Sequence, residues 1–177
     1  MNQSLSSLLY SWATASVIAK YLTIFFSTYV LYIVIMAVLY WAWAKRKDLW
    51  HTILLFVPAG GNRVVFTELI RLFVYSPRPF IVNHLVPLVS DPRREWYTSF
   101  PSGHTIFLFS LATSVWFENK KVGAALFVLA ALVGIARIAA GVHWPTDIIG
   151  GALLGVAFSV PEVMILKRLF PSKHHTR

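Results

Sequence analysis

A run of 24 residues without a charged side chain, at positions 21–44, limits the possible folds of this chain more than any other feature. As an α-helix it would rise about 36 Å, which is enough to cross the roughly 30 Å hydrocarbon core of a bilayer. Tyr40, Trp41 and Trp43 near its end are typical of the membrane interface. Because 57% of all residues are hydrophobic and only 13% are charged, the sequence indicates an integral membrane protein.

Four further segments are predicted to span the membrane, at residues 49–75, 101–117, 122–140 and 145–166. The first of these contains Pro58 and Gly60-Gly61, which can kink a helix. Residues 5–19 are interrupted by polar side chains and would rise only about 23 Å, so they either lie in the interface or form a short, tilted span. We therefore predict an all-α polytopic membrane bundle of five to six transmembrane helices, in a single domain over residues 1–177.

Basic residues cluster at three positions that the alternation of spans places on the same side of the membrane. They are Lys45-Arg46-Lys47, Lys120-Lys121 and the tail that begins at Lys167. Loops rich in lysine and arginine stay in the cytoplasm, so the connections at residues 75–100 and 141–144 should be extracytoplasmic. The net charge of +9 is then explained by the helix ends, and no nucleic-acid partner is predicted.

This topology brings ionisable side chains from separate segments to one membrane face: Arg71, Arg78, His104, Arg137, His143 and Asp147. A charge near hydrocarbon is costly, so such groups indicate a functional site rather than packing contacts. The planar fork of arginine suits phosphate oxygens, and several arginines can hold a dianion without a metal. We therefore expect a substrate that contains phosphate.

Two short motifs suggest how the chemistry is divided. The sequence Pro-Ser-Gly-His at residues 101–104 begins a predicted helix, where free N–H groups and the helix dipole favour an anion. His143 can attack phosphorus if Asp147, in the first turn of a helix that starts at Pro145, accepts its other ring N–H. His104 is then available to protonate the leaving oxygen as a general acid.

These residues resemble the three-part signature of the type 2 phosphatidic acid phosphatase family of integral membrane lipid phosphatases. That signature is Lys, six residues, Arg-Pro; then Pro-Ser-Gly-His; then Ser-Arg, five residues, His, three residues, Asp. Here the parts read Arg71 with Arg78-Pro79, then Pro101-Ser102-Gly103-His104, then Ala136-Arg137 with His143 and Asp147. The order and the internal spacings agree, and the resemblance covers residues 62–155.

The resemblance implies a metal-independent hydrolase without a cofactor. In such an enzyme His143 forms a phosphohistidine, Asp147 activates it, and His104 serves as acid and later activates water. The phosphate would be held by Arg71, Arg78, Ser102, Gly103 and Arg137. Two positions depart from the signature: Arg71 replaces lysine, which keeps the charge but changes the donor geometry, and Ala136 replaces serine.

The resemblance also implies a membrane lipid phosphate as substrate. Together with the topology predicted from the basic loops, this gives an extracytoplasmic active site in a bacterial inner membrane. The flanks of the motifs are similar to undecaprenyl diphosphate phosphatases, while lipid A 1-phosphate, phosphatidylglycerol phosphate and phosphatidic acid stay open as substrates.

The alternative functions are a haloperoxidase-like vanadate-binding enzyme and a non-catalytic phospholipid-binding or transport protein. The membrane spans argue against the first. The pairing of His143 with Asp147 argues against the second, because headgroup capture alone needs only cations. The oligomeric state is left open.

Other ionisable residues are predicted to have structural roles. Arg63 and Glu68, five residues apart, either pair with each other or line a wet cavity, and we favour a structural pair. Arg93 and Arg94 lie beside acidic neighbours and should form a solvated loop face. The isolated histidines are predicted to be interfacial or capping residues: His51, His84, His174 and His175.

Overall fold

The computed structural model describes residues 2–45, 49–90 and 96–170, with the backbone alone at residues 49–51. Within these ranges the chain folds into α-helices joined by turns, with an isolated bridge between Ser76 and Thr98. Several residues discussed above lie outside the described part of the chain: Arg46, Lys47, Arg93, Arg94, their acidic neighbours Asp91 and Glu95, His174 and His175. The side chain of His51 lies outside it as well.

The helices follow one another along the chain as α1 (Asn2–Thr14), α2 (Val17–Ile24), α3 (Val30–Ala44), α4 (Leu49–Gly61), α5 (Thr67–Arg71), α6 (Pro79–Val82), α7 (Gly103–Trp116), α8 (Lys120–Ala139) and α9 (Pro145–Leu169). Two π-helical segments interrupt this series without breaking it. Phe25–Tyr29 joins α2 to α3, and Asn62–Phe66 joins α4 to α5. Over the described residues, α1 is therefore followed by two long composite helices, a loop that contains the short α6, and then α7, α8 and α9.

Four helices are long and apolar enough to cross a membrane: Val17–Ala44, Thr52–Arg71, Lys120–Ala139 and Pro145–Leu169. They confirm four of the predicted spans. The fifth, predicted at residues 101–117, forms α7, which has 14 residues and would rise about 21 Å. Most residues of α7 are buried by neighbouring helices, so this short helix occupies the centre of the bundle. The protein is thus an all-α membrane helical bundle.

The core of the bundle is built on regularly spaced apolar residues. In α3 the inward side is formed by residues four apart, Val30, Val34, Val38 and Ala42, which a helix places on one face. This stripe belongs to one core cluster with Leu108, Leu111, Ala112 and Val115 of α7. Glycine permits close contact between two of these helices: a Cβ at Gly155 of α9 would lie 2.8 Å from the Ile106 carbonyl oxygen of α7. Helices α7 and α9 therefore pack with their backbones in direct contact at this position.

The start of the first long helix differs from the prediction. The helix begins at Val17 rather than at residue 21, so part of the segment predicted at residues 5–19 belongs to it. The reason is local: the Ser16 side chain accepts a hydrogen bond from the Ala19 N–H at 3.1 Å, which caps the new helix. The break between α1 and α2 follows from this cap.

Helix α1 lies across one end of the bundle. Its first residue donates from Asn2 Nδ2 to Thr146 Oγ1 at 3.0 Å, and two turns later the Tyr10 hydroxyl donates to the Val86 carbonyl at 2.8 Å. Both partners belong to the end where α9 begins, and the Tyr10 ring also packs against Gly141. The contacts at both ends of α1 favour the interfacial alternative over a tilted span.

The opposite end of the bundle carries basic residues. Lys167, in the last turn of α9, donates to the Phe117 carbonyl at 2.8 Å and pairs with Glu118 at 2.9 Å. These two residues form the turn between α7 and α8. The ends of three helices therefore meet here, as the predicted topology requires.

The long connection after α5 is packed more tightly than its polar residues suggested. The second composite helix ends at Arg71 rather than at residue 75. Beyond it, Phe80 N–H donates to the Gly141 carbonyl at 3.1 Å and Leu88 N–H to the Ala140 carbonyl at 3.0 Å. Phe80 is buried in a small apolar cluster with Ala140 and Val142. The connection thereby holds the α8–α9 turn in place.

Candidate active site

The turn between α8 and α9 carries His143, which is 1% exposed. Gly141, with φ of 78°, adopts a conformation that side chains rarely allow, and it reverses the chain directly after α8. Asp147 lies in the first turn of α9, as predicted, and its Oδ2 accepts a hydrogen bond from Trp144 N–H at 2.8 Å. The same oxygen lies 3.3 Å from His143 Nδ1. The helix start therefore holds a carboxylate against one nitrogen of the imidazole.

Arg78 lies beside the other ring nitrogen of His143. Its Nη1 donates to the Val142 carbonyl at 2.9 Å and lies 3.4 Å from His143 Nε2. Since a guanidinium can only donate, Nε2 is favoured as the acceptor and Nδ1 as the nitrogen that carries the proton. The lone pair of Nε2 then points toward the side of the site where Arg78 lies.

The electrostatic surroundings of His143 favour the neutral ring. Burial lowers the pKa of His143 well below its usual value, and the positive charges of Arg78 and Arg137 lower it further. An imidazole must be unprotonated at one nitrogen to act as a nucleophile. The site therefore favours the neutral imidazole of His143.

Ser99 belongs to this network, and sequence reasoning missed it. Its hydroxyl donates a hydrogen bond to Asp147 Oδ2 and lies 3.3 Å from His143 Nδ1. Ser99 N–H donates to the Ser76 carbonyl at 2.7 Å, beside the isolated bridge that joins residues 76 and 98. In the sequence, Ser99 could have been linked to the site only by its position two residues before the Pro-Ser-Gly-His motif. That position does not identify a site residue, because a serine in a loop can have many roles.

Arg78 is held by the loop that precedes α6. Its backbone N–H donates to the Trp96 carbonyl at 2.9 Å, and its side chain is fully buried. The Trp144 indole donates to the Pro77 carbonyl at 2.8 Å, which ties the same loop to the start of α9. Hydrogen bonds from two directions thus bring the first motif to the third.

The Pro-Ser-Gly-His segment joins the same site. Ser102 N–H donates to the Asp147 carbonyl at 3.3 Å, and the Ser102 hydroxyl accepts from Thr105 Oγ1 at 3.1 Å. Helix α7 begins at Gly103, so the N–H groups of its first turn face the site, as predicted. His104 is half-buried in that turn.

Arg71 reaches the second motif from the end of α5. Its Nη2 lies 3.5 Å from the Pro101 carbonyl oxygen, and its Nη1 pairs with Glu68 at 3.3 Å. Arg137 is buried in the last turn of α8. Its charge, with those of Arg71 and Arg78, acts on both His104 and His143. All three motifs therefore converge on one end of the bundle.

Arg63 also reaches this site, which was not expected of a structural ion pair. It pairs with Glu68 at 3.0 Å, so the predicted pair is present. Its side chain, however, lies against the start of α7, where a Cβ on Gly103 would be 2.3 Å from Arg63 Nε. Arg63 and His104 line a cavity of about 110 Å³ together with Leu31, Ile35, Gly103 and Phe107.

Comparison with known proteins agrees with this arrangement. Residues 50–171 match the PAP2 superfamily. Undecaprenyl-diphosphatase BcrC of Bacillus subtilis (strain 168) is 33% identical over 100 residues, which cover 55% of this chain and 49% of that protein. The putative undecaprenyl-diphosphatase YbjG of Escherichia coli (strain K12) is 32% identical over 124 residues, 69% of this chain and 60% of the relative. The chain thus spans about half the length of these curated relatives.

Solved structures show the same fold. The crystal structure of Aquifex aeolicus LpxE aligns with a TM-score of 0.72 and 27% identity, and covers 92% of this chain and 94% of that chain. A transmembrane PAP2 type phosphatidylglycerolphosphate phosphatase from Bacillus subtilis aligns with a TM-score of 0.70 over 97% of this chain and 87% of that chain. Because the two sequences are only 21% identical, this match supports the shared fold and nothing beyond it. By the match over residues 50–171 and by its helical bundle, this chain belongs to the PAP2 superfamily.

Proposed function

We propose that this chain hydrolyses a phosphate monoester or a diphosphate of a membrane lipid through a phosphohistidine intermediate. The observation that carries the proposal is the buried His143, with a carboxylate at Nδ1 and an arginine at Nε2. A headgroup-binding protein would need the cations but not an imidazole held in its nucleophilic tautomer. Membership of the PAP2 superfamily and the similarity to an undecaprenyl-diphosphatase support the same function.

In the first step of the proposed reaction, His143 Nε2 attacks the phosphorus atom. The bond from phosphorus to the leaving oxygen breaks, and His104 donates a proton to that oxygen. In the second step, water attacks the phosphohistidine, gives a proton to His104, and releases inorganic phosphate. Asp147 stabilises the positive charge that the ring carries while both of its nitrogens are substituted. The two steps together restore the enzyme and consume one water.

The phosphate oxygens need donors on several sides. Arg78 lies beside the attacking nitrogen, so it is placed to bind an oxygen of the phosphate under attack. Arg71 and Arg137 add charge from two other helices, and the start of α7 adds the Gly103 N–H and the Ser102 hydroxyl, which accepts from Thr105 and can still donate. These five residues form the proposed phosphate site. In this proposal neither step needs a metal or a cofactor.

Phosphate release from the purified protein tests this function directly. The panel should contain undecaprenyl diphosphate, lipid A 1-phosphate, phosphatidylglycerol phosphate and phosphatidic acid, each assayed with a chelator present. We expect release from at least one of these lipids at a rate that the chelator does not change. Binding of the lipids without turnover would support the non-catalytic alternative, and loss of activity with chelator would contradict a metal-independent mechanism.

We also propose that the site faces the extracytoplasmic side of a bacterial inner membrane, because Lys120, Lys121, Lys167 and Arg168 lie at the opposite end of the bundle. The chain has no cysteine, so single cysteines can be labelled cleanly. We expect a membrane-impermeant thiol reagent to label Val86→Cys, at a position that is 77% exposed, in intact cells. Lys121→Cys, in the exposed turn at the other end, should react only after permeabilisation. The reverse pattern would overturn the orientation.

The substitution of arginine for the family's lysine at residue 71 predicts a difference between two variants. We expect Arg71→Ala to lower kcat/KM about 100-fold, because it removes a charge-assisted contact to phosphate. Arg71→Lys should stay within about tenfold of the wild type, since it keeps the charge although it cannot reach Glu68 and the Pro101 carbonyl together. Steady-state kinetics measures both. Equal losses would show that this protein needs the guanidinium fork.

A further inference from the structure

The residues Arg63, Glu68 and Arg71 share one face of the second composite helix because of its π-helical segment. In a regular α-helix, residues five apart point about 140° away from each other. The π segment Asn62–Phe66 inserts one extra residue into the turn between Arg63 and Glu68. The two side chains therefore meet as if they were four residues apart, and Glu68 bonds to Arg63 at 3.0 Å and to Arg71 at 3.3 Å. The π-helical turn thereby orients the Arg63 side chain toward the active site.

The position of Arg63 is unlike that of an ion pair on a lipid-facing surface. Its side chain crosses the start of α7, in the space that a Cβ on Gly103 would fill. There it shares a cavity of about 110 Å³ with His104, the proposed general acid. The Arg63 charge is close enough to act on that histidine. Arg63 thus lies on the leaving-group side of the reaction, whereas Arg78 lies beside the nucleophile.

The cavity is lined by both ionisable and apolar side chains. Arg63 and His104 line it together with the apolar side chains of Leu31, Ile35 and Phe107. The Arg63 side chain is 31% exposed, so it is accessible to a ligand. Its guanidinium has five N–H donors, so it can hold a second anion while it keeps its bond to Glu68. A phosphate with an attached hydrocarbon chain fits this combination of groups.

We propose that Arg63 binds the phosphate that stays on the lipid when a diphosphate is cleaved, and so selects lipid diphosphates over lipid monophosphates. The inference rests on the proposed function. His143 attacks the terminal phosphorus, the bond from that phosphorus to the bridging oxygen breaks, and the bridging oxygen takes the proton from His104. The departing lipid monophosphate carries negative charge next to Arg63. A lipid monophosphate substrate places no phosphate there and gains nothing from this residue.

The test compares a prenyl diphosphate with the prenyl monophosphate of the same chain length. We expect Arg63→Gln to lower kcat/KM for the diphosphate by about 10- to 100-fold, the usual effect of losing a charge-assisted contact, and to change the monophosphate rate by less than about threefold. Arg168→Gln, the same substitution at the opposite end of the bundle, should leave both rates unchanged. An equal fall on both substrates, or no fall on either, would overturn the proposal.

A second measurement keeps the proposal testable if Arg63→Gln does not fold or if the wild type cleaves neither lipid. Inorganic diphosphate should raise the melting temperature of the detergent-solubilised wild type more than inorganic phosphate does. Arg63→Lys, which keeps the charge but not the fork, should reduce that difference. Equal stabilisation by the two anions in the wild type would contradict a second phosphate site. Failure of the wild type to release phosphate from either lipid would count against the proposed function, and the binding result would still decide the role of Arg63.

Discussion

Replacing His143 with alanine should lower kcat by at least about 10⁴-fold and abolish the phosphoenzyme, because no other described side chain has its arrangement of partners. Nucleophile removal has effects of this order in enzymes that form covalent intermediates. The measurement is single-turnover kinetics with a radiolabelled substrate, followed by acid-labile phosphohistidine analysis. The fold should persist, since the variant keeps the backbone contacts of the α8–α9 turn.

The matched control is His84→Asn. His84 is exposed on the same side of the bundle and has φ of 52°, a conformation that asparagine tolerates. We expect this variant to retain wild-type activity. A labelled phosphoenzyme that survives in the His143→Ala variant would assign the nucleophile to another residue.

Asp147→Asn should lower kcat by about 10³- to 10⁴-fold while it leaves the fold intact, as the corresponding change does in His–Asp catalytic pairs. The amide can still accept the Trp144 N–H that fixes the start of α9. It cannot neutralise the ring of His143 when Nε2 becomes phosphorylated and Nδ1 keeps its proton. The loss should therefore appear in formation of the phosphoenzyme, which rapid-quench kinetics measures.

Ser99→Ala is a milder change in the same network and is compared with Asp147→Asn. It removes the hydroxyl that donates to Asp147 but leaves the carboxylate beside His143. Loss of one such hydrogen bond corresponds to about a tenfold fall in rate. If Ser99→Ala were as inactive as Asp147→Asn, the serine rather than the carboxylate would be the essential partner of the imidazole.

The spans were predictable because the requirement for about 20 apolar residues in a membrane helix is a property of the local sequence. Four spans have the predicted positions within a few residues at most ends. At the start of the first span, a single serine cap moved the helix start four residues earlier, to Val17. Cap preferences depend on the backbone angles of one residue, which hydropathy does not record.

The catalytic motifs were predictable because their spacing follows from helix geometry. The third motif puts Asp147 in the first turn after the loop of His143, where a carboxylate reaches back to the ring. The roles assigned to these residues remain predictions until the variants are measured. Ser99 was not predictable, because its contact with Asp147 depends on the path of the loop that joins α6 to α7.

The sequence by itself determined that the chain crosses a membrane, that its charged residues gather at one end, and that their types suit phosphate. These properties depend on composition, periodicity and short spacings, which act within a single helix. Only the tertiary structure decided which side chains touch. The π-helical turn at Asn62–Phe66 rotated Arg63 toward Glu68 and His104, and the absence of a side chain at Gly103 let it cross the start of α7. Contacts between helices depend on their relative rotation, and one extra residue in a turn changes that rotation without altering the apolar pattern that places the helix in the membrane.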